Sequence, residues 1–221
     1  MRQRLEPKLS ILPAAQQEIW PHLAPAKQLG FVLYGGTAIA LHLGHRASLD
    51  FDFFQSDPLN KDRLRAAFDF AGRAEFLQDA PDTLVMLAPM PSGSVKVSFF
   101  GGMTFGRVND AVETIDGKLL VASLDDLMAT KLKAVLDRAE AKDYQDIARM
   151  ISAGFSLPAG LSAFKQMFKA EPAQVLRAIG YFDDGDLKTL GTADRQTLCD
   201  ARDRVTELPA IALKSGSLAG S

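Results

Sequence analysis

A run with a period of two residues constrains this chain more than any other feature. It is the stretch SLDFDFF that begins at Ser48, in which polar and apolar side chains alternate. Such alternation is typical of a half-buried β-strand, because successive side chains of a strand point to opposite faces. We therefore expect one face of this strand to be polar and to carry Asp50 and Asp52. The expected core face carries Leu49, Phe51 and Phe53.

The two aspartates on that polar face predict a cation site. Residues i and i+2 of a strand lie about 6.6 Å apart along the chain, so both carboxylates can reach one ion. Two like charges on one face repel each other, and a divalent cation removes the conflict. Carboxylate oxygens are ligands that Mg²⁺ prefers. From the aspartates alone, a solvated polar face without a metal remains an equal alternative.

A glycine pair lies shortly before the aspartates. Residues 31–34 predict a short apolar strand, Gly35 and Gly36 a tight turn, and residues 37–43 a short helix with Thr37 as N-cap and Gly44 after its last turn. A turn without side chains that opens a helix exposes backbone N–H groups to a phosphate. Most glycine pairs are only turns, but a phosphate cradle followed by a carboxylate pair is far more specific.

A second charged segment follows Ser123, which with Asp126 resembles a capping box and predicts a helix start. Projected at about 100° per residue, the segment up to residue 150 has an apolar stripe and a basic stripe. Asp143 falls within the apolar stripe, so its carboxylate should be paired, because an isolated buried charge is very costly. Asp146 lies at the border. An ordinary solvated face is the alternative interpretation of the basic stripe, which contains Lys131, Arg138, Lys142 and Arg149.

These segments together resemble a known family. Gly35-Gly36-Thr37, the link Gly44-His45-Arg46 and the run from Ser48 to Phe54 are similar to the core motif of the nucleotidyltransferase (DNA polymerase β-like) superfamily, and within it to the AbiEii/AbiGii toxin family. Residues 131–138 and 142–147 resemble that family's second signature, a helix carrying a Lys, an Arg and two Asp. The likeness covers roughly residues 30–150.

The resemblance implies an α+β fold, with a nucleotidyltransferase-like mixed sheet flanked by helices and a helical C-terminal lobe. It also implies Mg²⁺-dependent transfer of a nucleoside monophosphate from an NTP to an acceptor hydroxyl. An RNA acceptor such as tRNA and a separately encoded antitoxin are implied as partners. Asp50 and Asp52 are the predicted metal ligands. The candidate catalytic residues are Asp50, Asp52, Lys131 and Asp146, and the candidate nucleotide-binding residues are Gly35, Gly36, Thr37, Arg46, Ser48, Lys96, Arg138, Lys142 and Asp143.

One position departs from the superfamily pattern. Many of these enzymes carry a third acid on a neighbouring strand, and the best candidate strand here is residues 95–100, where Ser98 stands at the expected position. Three explanations remain open. Another residue acts as the base that deprotonates the acceptor hydroxyl, with Asp143 and Asp146 as candidates, or the substrate supplies the missing group. Alternatively, the chain binds nucleotide but transfers it poorly. Lys96, on the same face as Ser98, is either a phosphate contact or a plain strand lysine.

Composition sets the context. The 221 residues are 47% hydrophobic, and the net charge of −2 gives no overall nucleic-acid signature. A single cysteine, Cys199, and the absence of a signal peptide or a long apolar run indicate a soluble cytoplasmic protein away from membranes. We expect a core lobe over residues 1–122, a helical lobe contributing to the site over 123–214, and a flexible tail over 215–221.

The sequence therefore predicts a toxin-like nucleotidyltransferase. Two alternatives remain open at this point. One is a small-molecule nucleotidyltransferase of the antibiotic-modifying kind, which the acidic pI of 5.9 favours. The other is a non-catalytic module that binds nucleotide or RNA, which Ser98 favours.

Overall fold

The computed structural model describes residues 4–214 and 217–220, and these form two compact units. The first unit runs to Gly106 and includes Asp110–Ser123 and the described tail residues 217–220. The second comprises Arg107–Asn109 and the residues from Leu124 to 214.

Eight strands of the described chain form one mixed sheet in the first unit. In chain order they are β1 (Arg4–Leu5), β2 (Val32–Tyr34), β3 (Asp50–Phe54), β4 (Glu75–Ala80), β5 (Thr83–Met90), β6 (Gly93–Phe100), β7 (Val112–Thr114) and β8 (Leu120–Val121). Their order across the sheet is β1-β7-β8-β2-β3-β6-β5-β4. The central strand β3 pairs antiparallel with β2 and parallel with β6. The predicted mixed sheet is confirmed.

Four α-helices accompany the sheet in the first unit: α1 (Ala14–Ile19), α2 (Pro25–Gln28), α3 (Gly35–Leu43) and α4 (Lys61–Ala67). Helix α1 packs against β5 and β6. Helix α4 begins after Asn60, whose side-chain oxygen accepts a hydrogen bond from the Arg63 amide at 2.9 Å. Helix α3 connects β2 to β3 and so brings its first turn to the end of the strand pair that carries the aspartates.

Aromatic rings fill the core beneath β3 and β6. Phe51 and Phe53 have no exposed surface, as the alternating pattern predicts. Phe53 stacks on Phe99, its register partner on β6, at 5.3 Å between ring centroids, and Phe31 meets the same ring edge-on at 5.1 Å. The expectation for Leu49 is wrong: its residue surface is 67% exposed, because β3 begins one residue later, at Asp50.

The second unit is helical, as expected for the C-terminal part. Its helices are α5 (Leu124–Asp137), α6 (Ala141–Ser152), α7 (Leu157–Phe168), α8 (Pro172–Ala178) and α9 (Thr192–Asp203). Helix α5 packs against α6, α7 and α8. A Cβ on Gly160 of α7 would lie 2.4 Å from Cγ of Met128, so this glycine lets α7 approach α5 closely.

The segment after Ser123 contains two helices instead of one continuous helix. The chain leaves the helical path at Arg138 and re-enters it at Ala141, with Glu140 as the N-cap of α6. A projection at a single helical pitch therefore misplaces residues across this break. As a consequence, α5 and α6 pack side by side and can turn charged side chains toward each other.

The sequence predicts a flexible tail over residues 215–221, but the described residues 217–220 contact the first unit. Leu218 is 1% exposed, and its amide donates a hydrogen bond to the Ser56 hydroxyl at 3.1 Å. Residues 215, 216 and 221 lie outside the described residues. Among the described residues, no helix combines the length and apolar character needed to cross a membrane.

Candidate functional site

The glycine pair lies at the start of helix α3, directly after β2. The helix begins at Gly35 with Tyr34 as N-cap, so the prediction of Thr37 as N-cap is wrong by one turn. The Thr37 hydroxyl instead donates a hydrogen bond to the carbonyl oxygen of Asp50 and ties the first turn of the helix to β3. The helix ends as predicted at Gly44, in the left-handed conformation with φ of 65°.

Gly35 lies against Asp52 because their strands are neighbours. Tyr34 at the end of β2 is the register partner of Asp52, and the next residue turns into the helix with a φ of +75°. A Cβ on Gly35 would lie 2.6 Å from Oδ2 of Asp52. Both the backbone conformation and the close approach of the carboxylate require glycine here.

Two further candidate residues cover Gly36. A Cβ on Gly36 would lie 2.6 Å from Nη2 of Arg46 and 3.1 Å from Oγ of Ser48. The Arg46 guanidinium also donates from Nη1 to the carbonyl of Ala47 at 2.9 Å. The turn is thus bordered by a guanidinium and a hydroxyl, which together with the helix N–H groups can donate hydrogen bonds to a phosphate. The Asp52 carboxylate beside them is an acceptor and suits a cation instead.

The parallel pairing of β3 with β6 adds two further residues beside the aspartates. Asp50 is the register partner of Lys96, and Asp52 is the register partner of Ser98. Nζ of Lys96 lies 3.2 Å from Oδ2 of Asp50, in a pair that is about 40% exposed on both sides (41% and 39%). Ser98 is 1% exposed and occupies the position beside Asp52 where a third acid was expected.

The aspartates suit a cation that takes only part of its ligands from the protein. Across residues 4–214 and 217–220, no group of three or more His, Cys, Asp or Glu side chains is arranged to hold a metal. Mg²⁺ commonly binds through one or two carboxylates and completes its octahedron with waters and substrate phosphates. Asp50 and Asp52 beside the glycine turn fit that kind of site.

A separate charged cluster lies in the second unit. Nζ of Lys131 on α5 lies 2.5 Å from Oδ1 of Asp143 and 2.9 Å from Oδ2 of Asp146, both on α6. The lysine side chain is 7% exposed and the two carboxylates are fully buried. Arg138 adds a second cation, with Nε 2.7 Å from Oδ2 of Asp143. The predicted pairing of Asp143 is confirmed.

These contacts determine the protonation of Asp143. Burial by itself raises the pKa of this carboxyl, but the hydrogen bond from Arg138 and the charge of Lys131 outweigh it and hold the pKa below its ordinary value. Asp143 therefore stays ionised and is a poor proton acceptor at neutral pH.

Two other members of the expected basic stripe, Lys142 and Arg149, form ion pairs outside the Lys131 cluster. Lys131 is buried, so the stripe does not exist as one exposed face. Lys142 is exposed and forms an ion pair with Glu140 at 2.9 Å, and Arg149 pairs with Asp194 at 3.2 Å. The motif residues of the second unit therefore divide into a buried cluster and separate surface cations.

One cavity in the second unit was not anticipated from the sequence. It encloses about 280 Å³ next to Arg138, with Tyr144, Tyr181 and Asp184 in its lining. Its residues come from α5, α6 and the segment after α8, so no local motif marks it. The half-exposed Tyr181 and its neighbour Phe182 are the signal in the sequence, as aromatic residues beside a polar segment.

Comparison with known proteins identifies the family. The model of the family described as "Nucleotidyl transferase AbiEii toxin, Type IV TA system" matches residues 22–212. The chain belongs to the AbiEii family. It is a nucleotidyltransferase of this family, and the match extends beyond residues 30–150, where the sequence motifs lie.

The chain is also similar to two further proteins. The AbiEii chain is 27% identical over 158 residues to the uncharacterized protein aq_aa25 of Aquifex aeolicus (strain VF5), covering 70% of this chain and 74% of that protein. It also resembles a solved structure named as a "putative nucleotidyltransferase from H. pylori", with a TM-score of 0.55 and 19% identity, over 86% of this chain and 90% of the other. At that identity the second likeness shows the fold.

We predict that Gly35→Ala disturbs the AbiEii phosphate turn more than it disturbs folding. The added Cβ must push the Asp52 carboxylate aside, and the left-handed backbone costs about 1–2 kcal/mol for a non-glycine residue. Gly30→Ala is the matched control, since Gly30 also has a positive φ, +85°, but no atom lies within 4 Å of the place that its Cβ would take. The melting temperature should fall by a similar amount in both variants, whereas the affinity for NTP should decrease only in Gly35→Ala. Equal NTP affinity in the two variants contradicts the assignment of the turn.

We predict that Lys131→Ala destabilises the protein by about 3 kcal/mol, because removal of one partner leaves buried carboxylates without their cation. The control is Lys133→Ala on the same helix, where a partly exposed lysine pairs with Asp137. The control should change the free energy of unfolding by less than about 0.5 kcal/mol. Urea denaturation measures both values. A loss in Lys131→Ala no larger than in the control shows that the buried cluster is not stabilising.

Acidification should reveal the lowered pKa of Asp143. A carboxyl whose pKa is lower in the folded than in the unfolded protein stabilises the fold above its ordinary pKa of 3.8, and this stabilisation is lost as the pH falls through the folded value. The unfolding free energy of the wild type should therefore decrease below about pH 4. Asp143→Asn should show a smaller slope in urea titrations over the same range, and an identical slope disproves the predicted direction.

Proposed function

We propose that this AbiEii chain uses Mg²⁺ to transfer a nucleoside monophosphate from an NTP to a hydroxyl of an RNA acceptor, with tRNA as the first candidate. The observation that carries the proposal is the contact of Gly35 with Asp52. It places a helix N-terminus, which binds phosphate, directly beside a pair of carboxylates, which bind a cation. Both are needed for a metal-bound triphosphate.

The candidate residues at the glycine turn have specific roles in this proposal. The N–H groups of Gly35, Gly36 and Thr37 donate hydrogen bonds to the phosphate oxygens. Arg46 and Ser48 are further donors beside the turn. A bound Mg²⁺ would supply Lewis-acid stabilisation of the charge that develops on the leaving pyrophosphate.

Asp50 and Asp52 would hold that ion, and the tie between Thr37 and the Asp50 backbone fixes the carboxylates relative to the turn. Catalysis of this kind depends mainly on positioning and electrostatics. Precise placement of the turn against β3 is therefore the main contribution of the fold.

The second unit supplies charge in two forms. Arg138 and Lys142 are about half exposed, at 47% and 52%, and are proposed as nucleotide contacts. Lys131 is proposed as a catalytic cation that stays bonded to its aspartates. Asp146, whose Oδ2 lies 2.9 Å from Nζ of Lys131, is proposed as the proton acceptor for the attacking hydroxyl.

The proposed acceptor and partner follow from the family. The AbiEii family is described as a type IV toxin–antitoxin system, which supports a separately encoded antitoxin for this chain as well. An RNA acceptor requires local positive patches because the net charge of the chain is −2. A cytoplasmic location, where NTPs and tRNA are available, is part of the same proposal.

A second candidate is a module that binds nucleotide and transfers it poorly. It is favoured by Ser98, which stands in register beside Asp52 where a third acid would activate the acceptor. Ser98→Asp distinguishes the candidates: an increased rate means that the native site lacks a base, and an unchanged or lower rate means that the base lies elsewhere.

We predict that Asp50→Asn and Asp52→Asn each lower transfer by about a hundredfold or more, since each removes a charge that acts on the transition state. The assay incubates the protein with each α-labelled NTP, Mg²⁺ and total cellular RNA and then separates RNA, protein and small molecules. Asp62→Asn is the control, because this side chain is fully exposed on α4. Wild-type rates in both site variants refute the carboxylate pair, and label on a small molecule refutes the RNA acceptor.

A further inference from the structure

Lys96 lies directly beside Asp50 on the neighbouring strand. The two residues are register partners in the parallel pairing of β3 and β6, and the ammonium lies 3.2 Å from Oδ2 of the carboxylate. We infer that Lys96 is an exchangeable counterion of Asp50: it holds the carboxylate in the free protein, is displaced by the divalent cation, and then binds the phosphates that arrive with that cation. This inference rests on the proposed function of Asp50 as a metal ligand.

The exposure of the pair makes exchange feasible. The side chains of Lys96 and Asp50 are 41% and 39% exposed, so water competes for both and the ion pair is weak. The other lysine of the motif behaves differently, because Lys131 is buried between two fully buried carboxylates. Lys131 is thus fixed in place, whereas Lys96 can leave its partner at low cost.

The positions of the charges favour exchange. A cation bound by both Asp50 and Asp52 needs an oxygen of Asp50, and Lys96 already donates to one of them. A divalent ion and an ammonium at the same oxygen repel each other strongly. The ammonium sits on a flexible four-carbon stem and can swing away from the strand while its backbone stays in the sheet.

A triphosphate provides the next partner for the displaced ammonium. Its negative charge enters at the glycine turn, next to the carboxylates, because Gly35 contacts Asp52. Without nucleotide, Lys96 lowers the affinity of the carboxylates for a cation; with nucleotide, the same charge is attractive. Cation and nucleotide should therefore bind with positive coupling, and such coupling is reciprocal.

The residues of β6 that pair with the two aspartates of β3 account for this exchange. The position beside Asp52 holds the neutral Ser98 and the position beside Asp50 holds a lysine, so the neighbouring strand contributes positive instead of negative charge. A third carboxylate would favour cation binding in the absence of substrate. Lysine reverses this preference and weakens cation binding in the absence of nucleotide.

The test measures binding of Mn²⁺ by electron paramagnetic resonance, first alone and then with each α,β-methylene NTP. Lys96→Met should bind Mn²⁺ alone about fivefold more tightly than the wild type, bind the NTP analogues more weakly, and lose the coupling between them. Lys96→Arg should behave as the wild type, since it keeps the charge. Lys61→Met is the matched control, because Lys61 also pairs with an aspartate, Asp79, in the same unit.

The outcomes separate the two proposals. Loss of Mn²⁺ binding in Asp50→Asn with unchanged binding in Lys96→Met overturns the exchange and leaves the metal site in place. Wild-type Mn²⁺ affinity in Asp50→Asn and Asp52→Asn overturns the metal site and the exchange with it. If Lys96→Met does not fold by circular dichroism, Lys96→Gln replaces it, and an unchanged Mn²⁺ affinity there overturns the inference.

Discussion

The two-residue repeat of strand β3 is the constraint on which the first unit depends. It directs Phe51 and Phe53 into the aromatic core and Asp50 and Asp52 to the opposite face, so the same short strand both anchors the sheet and carries the acidic pair. A shift of one residue in its pairing would exchange these faces and bury the carboxylates. The stacking of Phe53 on Phe99, its partner on β6, opposes such a shift.

Strand pairing also explains the geometry of the glycine turn. The antiparallel partner of Asp52 is Tyr34, the last residue of β2, so the residue that starts helix α3 must pass close to the Asp52 carboxylate. Only a residue without a side chain fits this passage. The family motif of two glycines followed by two aspartates is therefore one structural requirement, although 13 residues separate its halves in the sequence.

Two candidate residues, Lys96 in the first unit and Lys131 in the second, show how burial changes the role of one residue type. Lys131 is enclosed with Asp143 and Asp146, and its ammonium contacts both buried carboxylates. Lys96 forms a single pair at the surface of the sheet with Asp50. A buried pair is held by the high cost of leaving a charge unpaired, whereas an exposed pair exchanges readily with other ions. Motif similarity alone does not distinguish these cases.

The sequence by itself determined the elements with strong local signals: the alternation of β3, the turn at Gly35, the left-handed end of α3 at Gly44, and the need of Asp143 for a partner. These follow from side-chain periodicity and backbone preference, which act within a few residues. The tertiary structure decided the N-cap of α3 at Tyr34 instead of Thr37, the exposure of Leu49, the break between α5 and α6, and the burial of Lys131. It also decided that Lys96 faces Asp50, because the register between two strands more than forty residues apart is set by packing across the sheet, and local sequence carries no record of it.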